Sequence, residues 1–204
     1  MLKPSSVPAP RPGPIPIDAR AADHLRYIRE TMECAAEFTA VPGWGGVAMG
    51  ITALVASIVA SQQSTRQAWL VVWLVEVFIA VAIAAPAAAT KAHRFNSKLF
   101  SGPGRKFLFS FAPPIIAGGF LTFALYRAGS FAALPGTWLL LYGVAIVTGG
   151  AFSVRVVPVM GMCLIALGGG ALFAPAAWGD AFMATGFGLV QIAFGVWIAR
   201  HHGG

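Results

Sequence analysis

Residues 67–89 read QAWLVVWLVEVFIAVAIAAPAAA, an apolar run whose only charged residue is Glu76. At 1.5 Å per residue a helix needs about 20 such residues to cross the hydrocarbon core of a bilayer, and this run is long enough. Working outward from it, further apolar runs fall at about 44–61, 107–127, 137–153, 157–174 and 182–199. Six spans and short loops account for nearly the whole chain after residue 43, and no separate soluble catalytic domain is expected. The predicted fold is all-α: a polytopic membrane bundle of six transmembrane helices, occupying 41–204, preceded by an amphipathic surface helix.

Composition agrees. Of 204 residues, 57% are hydrophobic and 10% charged, and a mean hydropathy of +0.75 lies outside the range of ordinary soluble domains. The net charge of +7 does not point to nucleic acid, because the positive residues gather in one loop and at helix ends, where membrane orientation explains them. Cys34 lies before the first span and Cys163 within an apolar run, so they read as packing thiols rather than a disulfide framework.

Residues 1–17 carry six prolines and no continuous apolar stretch, which predicts a disordered, polyproline-type arm and no signal peptide. Asp18 then suits the N-cap of a helix within 18–40, where Leu25, Ile28, Met32 and Ala35 recur at helical spacing. Its other face alternates charge, pairing Asp23 with Arg26, Arg26 with Glu30 and Arg29 with Glu33. Too polar to span, it is expected to lie on the membrane surface or on a partner. Val41-Pro42-Gly43 ends it, and Arg155 and Pro158 mark a tight turn that makes the fourth and fifth spans an antiparallel hairpin.

Orientation follows from the loops, since Lys and Arg are retained on the cytoplasmic side. Between Thr90 and Phe107 lie Lys91, Arg94, Lys98, Arg105 and Lys106 with no acid, whereas the connections on the other end hold Arg66, Arg127 and Asp180. An even number of spans then puts both termini inside. The basic loop can also attract anionic lipid or dock the acidic N-terminal helix.

Glu76 is the candidate site. An ionised carboxylate at the bilayer centre costs several kcal/mol unless it is paired or protonated, so the neutral form, able to donate a hydrogen bond, is expected at rest. Gln191 is the amide at matching depth: 67 to 76 and 182 to 191 are equal steps from the proposed outer ends, about 13–14 Å. The two meet if the second and sixth spans are neighbours. Thr52, Ser57, Thr122, Thr148 and Thr185 supply further hydroxyls, and Trp73 lies one turn before Glu76, as an aromatic wall or as packing. The functional reading makes Glu76 a proton or cation site. The structural reading makes it an interhelical fastener, worth about 0.6 kcal/mol on average in membranes.

Pro113-Pro114, followed by Gly118-Gly119, should bend the third span, which either shapes the bundle or opens a helix-break site. Gly46-x-x-x-Gly50 permits close helix approach and is read as internal packing. His24, His93, His201 and His202 lie outside the apolar cores without ligand spacing, and no metal, haem or other cofactor is expected. With no GxSxG, HExxH or phosphate loop, an enzyme is not expected either.

The stretches FTAVPGWGGVAMGITAL (38–54) and GGAFSVRVVPVMG (149–161) resemble those of a family of bacterial six-span integral membrane proteins with no assigned activity. The resemblance implies a bacterial inner-membrane location. The expected function is a non-enzymatic regulatory, sensory or scaffold component, with the bilayer and a membrane partner or second copy as its neighbours. The alternative is a small proton-coupled transporter using Glu76.

Overall fold

A computed structural model describes residues 42–94, 102–151 and 153–201, and the proline-rich arm and the helix expected within 18–40 lie outside them. The described chain holds six helices long and apolar enough to cross a membrane: Gly43–Ser61, Arg66–Lys91, Gly104–Arg127, Phe131–Gly150, Val156–Phe173 and Ala176–His201. They belong to α1 (Gly43–Ser61), α2 (Arg66–Arg94), α3 (Gly102–Arg127), α4 (Leu134–Gly150), α5 (Val156–Phe173) and a composite last span. That span is α6 (Gly179–Met183), a π-helical stretch (Ala184–Val190) and α7 (Gln191–His201).

Local chemistry sets the boundaries. Arg127 ends α3, Gly129 adopts a left-handed φ of 68°, and the Ser130 N–H donates to the Leu125 carbonyl, which closes the helix end. Thr65 precedes α2 and its hydroxyl oxygen accepts the Ala68 N–H at 3.1 Å, as an N-cap does. The turn expected at Arg155 and Pro158 is tighter than its sequence suggests, because α5 already begins at Val156. Pro158 therefore lies in the first helical turn, where its missing N–H leaves no bond unmade.

Four elements form the centre. α1 packs against the last span, and α4 and α5 form a close hairpin that also meets that span, while α2 rests on α1 and α3 on α4. Glycine makes the backbones meet. A Cβ placed on Gly50 would stand 2.8 Å from the Gly188 carbonyl oxygen, and one on Gly143 would stand 2.8 Å from that of Gly161. Gly46 and Gly50 thus serve internal packing between α1 and the last span. The buried core includes Trp73, Leu139, Leu164, Val157 and Met183. Large apolar side chains such as Phe78, Phe109 and Phe120 project outward from α2 and α3, as expected of surfaces solvated by lipid tails.

Candidate functional site

Glu76 is buried, with 7% of its surface exposed, on the face of α2 that meets α1. Its Oε1 lies 2.7 Å from the hydroxyl oxygen of Thr52, and that same hydroxyl oxygen lies 2.9 Å from the Met49 carbonyl oxygen one turn back on α1. A hydroxyl has one proton, and a carbonyl can only accept. Both contacts are hydrogen bonds at once when a neutral Glu76 carboxyl donates to Thr52 and Thr52 donates to Met49, or when the one Thr52 proton is shared between Met49 and a Glu76 carboxylate oxygen. A carboxylate anion would have to compete with Met49 for the single Thr52 proton.

The expected meeting of Glu76 with Gln191 is not made. α1 packs against both α2 and the last span, held in backbone contact with the latter by Gly46 and Gly50, and it brings Thr52 to the carboxyl instead. Gln191 turns to α4, where its amide Nε2 donates to the Tyr142 hydroxyl at 3.2 Å. Equal depth along two helices gave no information on which helix lies beside which.

Trp73 is buried and belongs to a column of rings. Trp138 stacks on Trp69 with centroids 5.7 Å apart, and Trp69 meets Trp73 at 6.4 Å. The column continues from Trp73 to Phe187 at 6.3 Å, to Tyr142 at 5.3 Å and to Phe111 at 6.1 Å. Two buried polar atoms, the Nε1 donor of Trp73 in the column and the Oε1 acceptor of Gln191 beside it, have no hydrogen-bond partner among the described residues. The π-helical stretch ends immediately before Gln191 and carries Phe187 into the column; π turns recur at functional positions.

The other hydroxyls resolve by neighbour. Ser57 donates to the Asp180 carbonyl at 3.2 Å, and Thr122 accepts the Trp138 indole N–H at 2.7 Å, each joining two helices. Thr185 bonds only back to Ala181 in its own span. Thr148 reaches from α4 to the Ser110 carbonyl of α3 at 2.8 Å. That carbonyl is the one Pro114 would have bonded if it had an N–H, and Thr148 offers it a donor that it shares with the Val144 carbonyl of its own helix at 2.9 Å. Pro113 and Pro114 lie within a continuous α3, and Thr148 stitches their turn to the bundle.

The connections between α1 and α2, α3 and α4, and α5 and α6 surround an open cleft of about 350 Å³. Asp180, Arg66 and Trp69 line it. The Trp69 indole N–H donates to Asp180 Oδ1 at 2.6 Å, and the Arg66 guanidinium lies over the Phe131 ring at 5.9 Å from its centroid. At the opposite end of the bundle Lys91 is buried, with 3% exposure. Sequence reading counted Arg66 and Asp180 only as loop charges; their convergence depends on three separate connections meeting in space.

No protein-family model, curated protein or solved structure matches this chain.

Proposed function

We propose that this chain is a non-enzymatic regulatory, sensory or scaffold component of a bacterial inner membrane, with both termini cytoplasmic and the basic connection between α2 and α3 on the inner side. Its neighbours are the lipid bilayer and a membrane partner protein or second copy of itself. The observation that carries this reading is how the polar side chains within the spans are used. Thr52 with Glu76, Gln191 with Tyr142, Trp138 with Thr122, and Thr148 with Ser110 each join two helices. In a medium without water, such groups are satisfied inside the protein, and they specify which helices pair. A carboxyl already engaged with a neighbouring helix serves the bundle rather than a passing substrate.

The test is proton flux in proteoliposomes under an imposed pH gradient, comparing the natural chain with Glu76→Gln. Flux indistinguishable from protein-free liposomes in both is the expected result. Flux carried by the natural chain and abolished in Glu76→Gln would sink the reading.

The second reading, a small proton-coupled transporter using Glu76, is favoured by a specific observation. The unpartnered Trp73 Nε1 and Gln191 Oε1 are a buried donor and acceptor, the first in the aromatic column a single turn from Glu76 and the second beside it on Tyr142. Such groups can hold a polar molecule in passage, and the same flux experiment separates the two readings.

A further inference from the structure

The cleft bounded by the three connections combines features that the interior fasteners do not use. It holds one fixed cation and one fixed anion, Arg66 and Asp180. Arg66 contacts the Phe131 ring, and Asp180 takes the Trp69 indole N–H on Oδ1. Among the described residues neither charge is met by an opposite one, and Oδ2 of Asp180 remains available to a further donor. Ser64 and Ser130 add hydroxyls to the wall, and Trp69, stacked on Trp138, fixes the position of the carboxylate.

Charge selects the ligand. A simple anion drawn to Arg66 meets the field of Asp180, and a simple cation drawn to Asp180 meets that of Arg66, so each is only weakly held in water. A molecule carrying both charges satisfies both groups at once. The cavity volume of about 350 Å³ lies at the small end of the usual range for ligand pockets and suits a compact molecule. An ammonium can bond the free oxygen of Asp180, and a carboxylate or phosphate can take the planar guanidinium of Arg66 in bidentate fashion.

We propose that this cleft binds a small zwitterion, an ammonium group joined to a carboxylate or phosphate, either free in solution or as a lipid headgroup. The inference goes beyond the scaffold reading and does not depend on Glu76, which lies deeper in α2.

The experiment uses the full chain in two arms. In the first, calorimetry in detergent follows titration with glycine and β-alanine, with methylammonium and acetate as singly charged controls. In the second, native mass spectrometry counts phosphatidylethanolamine retained by the chain released from nanodiscs that also contain phosphatidylglycerol. Saturable binding of a zwitterion in either arm, weakened about tenfold or more by Asp180→Asn and by Arg66→Gln, is expected. Response in the first arm identifies a free solute, and response in the second alone identifies a headgroup. Asn keeps an oxygen for the Trp69 indole, and Arg66 is exposed at a helix start, so Arg66→Gln decides the matter even if Asp180→Asn unfolds. Silence in both arms, binding unchanged in Arg66→Gln, or equal binding of acetate or methylammonium would overturn the proposal.

Discussion

Thr52 and Glu76 face each other across the α1–α2 contact with 2.7 Å between the hydroxyl and a carboxyl oxygen, and the Met49 carbonyl holds the other side of the same hydroxyl at 2.9 Å. With the neutral carboxyl expected in the bilayer interior, Glu76 donates to Thr52 and Thr52 to Met49. The expected outcome is an infrared C=O stretch of a protonated carboxylic acid at neutral pH that disappears in Glu76→Gln. A carboxylate band lost instead on that substitution would mean that Thr52 gives its proton to Glu76, the Met49 carbonyl keeping only its helical backbone bond.

The proline turn of α3 depends on α4. Thr148→Val removes the donor to the Ser110 carbonyl left without its helical partner by Pro114. A loss of about 1 kcal/mol is expected in unfolding from mixed micelles. Thr185→Val is the control, since Thr185 bonds only within its own span, and it should cost less. Equal losses would remove Thr148's special role.

Backbone contact between α4 and α5 predicts a sharp difference among glycines. Gly143→Ala introduces a methyl 2.8 Å from the Gly161 carbonyl oxygen, whereas a methyl on Gly119 meets nothing within 4 Å. Thermal unfolding in detergent should show Gly143→Ala clearly destabilised and Gly119→Ala close to the natural chain. Similar midpoints for the two would contradict the close hairpin.

Gln191 is buried and its amide donates to the hydroxyl of half-buried Tyr142, so removing that acceptor strands the amide. Tyr142→Phe leaves the Gln191 amide without its acceptor, and a cost of about 1–3 kcal/mol is expected. Adding Gln191→Met removes the stranded group as well. The double variant should recover part of that stability in the same unfolding assay, and a strictly additive loss would show that the pair is uncoupled.

The spans were legible because hydropathy over 20 residues integrates many weak signals, and the bilayer permits few other folds for such runs. The second span, read from its sequence as about 67–89, lies within Arg66–Lys91 in the structure, and the fifth, read as about 157–174, is Val156–Phe173. The place of Glu76 within the second span followed from the same reasoning, but neither its burial nor its partner did. Depth is a one-dimensional quantity counted along each helix, whereas pairing depends on which helices adjoin. Gly46 and Gly50 decide part of that by admitting the last span against α1, and their spacing alone did not reveal which helix would fill the groove. Thr148's service to Pro114 was hidden for the same reason: nothing local in either segment records that Ser110 and Thr148 come together. The cleft charges Arg66 and Asp180, far apart in sequence, were invisible as a pair.

The central claim is that the intramembrane carboxyl fastens α1 to α2. A double-mutant cycle with Thr52→Val and Glu76→Met, read as unfolding free energy in mixed micelles, tests it most directly. The account predicts a favourable coupling of about 0.6 kcal/mol, and at most about 1.7 kcal/mol, in line with hydrogen bonds between membrane helices. Strictly additive substitutions, with no coupling between the two positions, would contradict it.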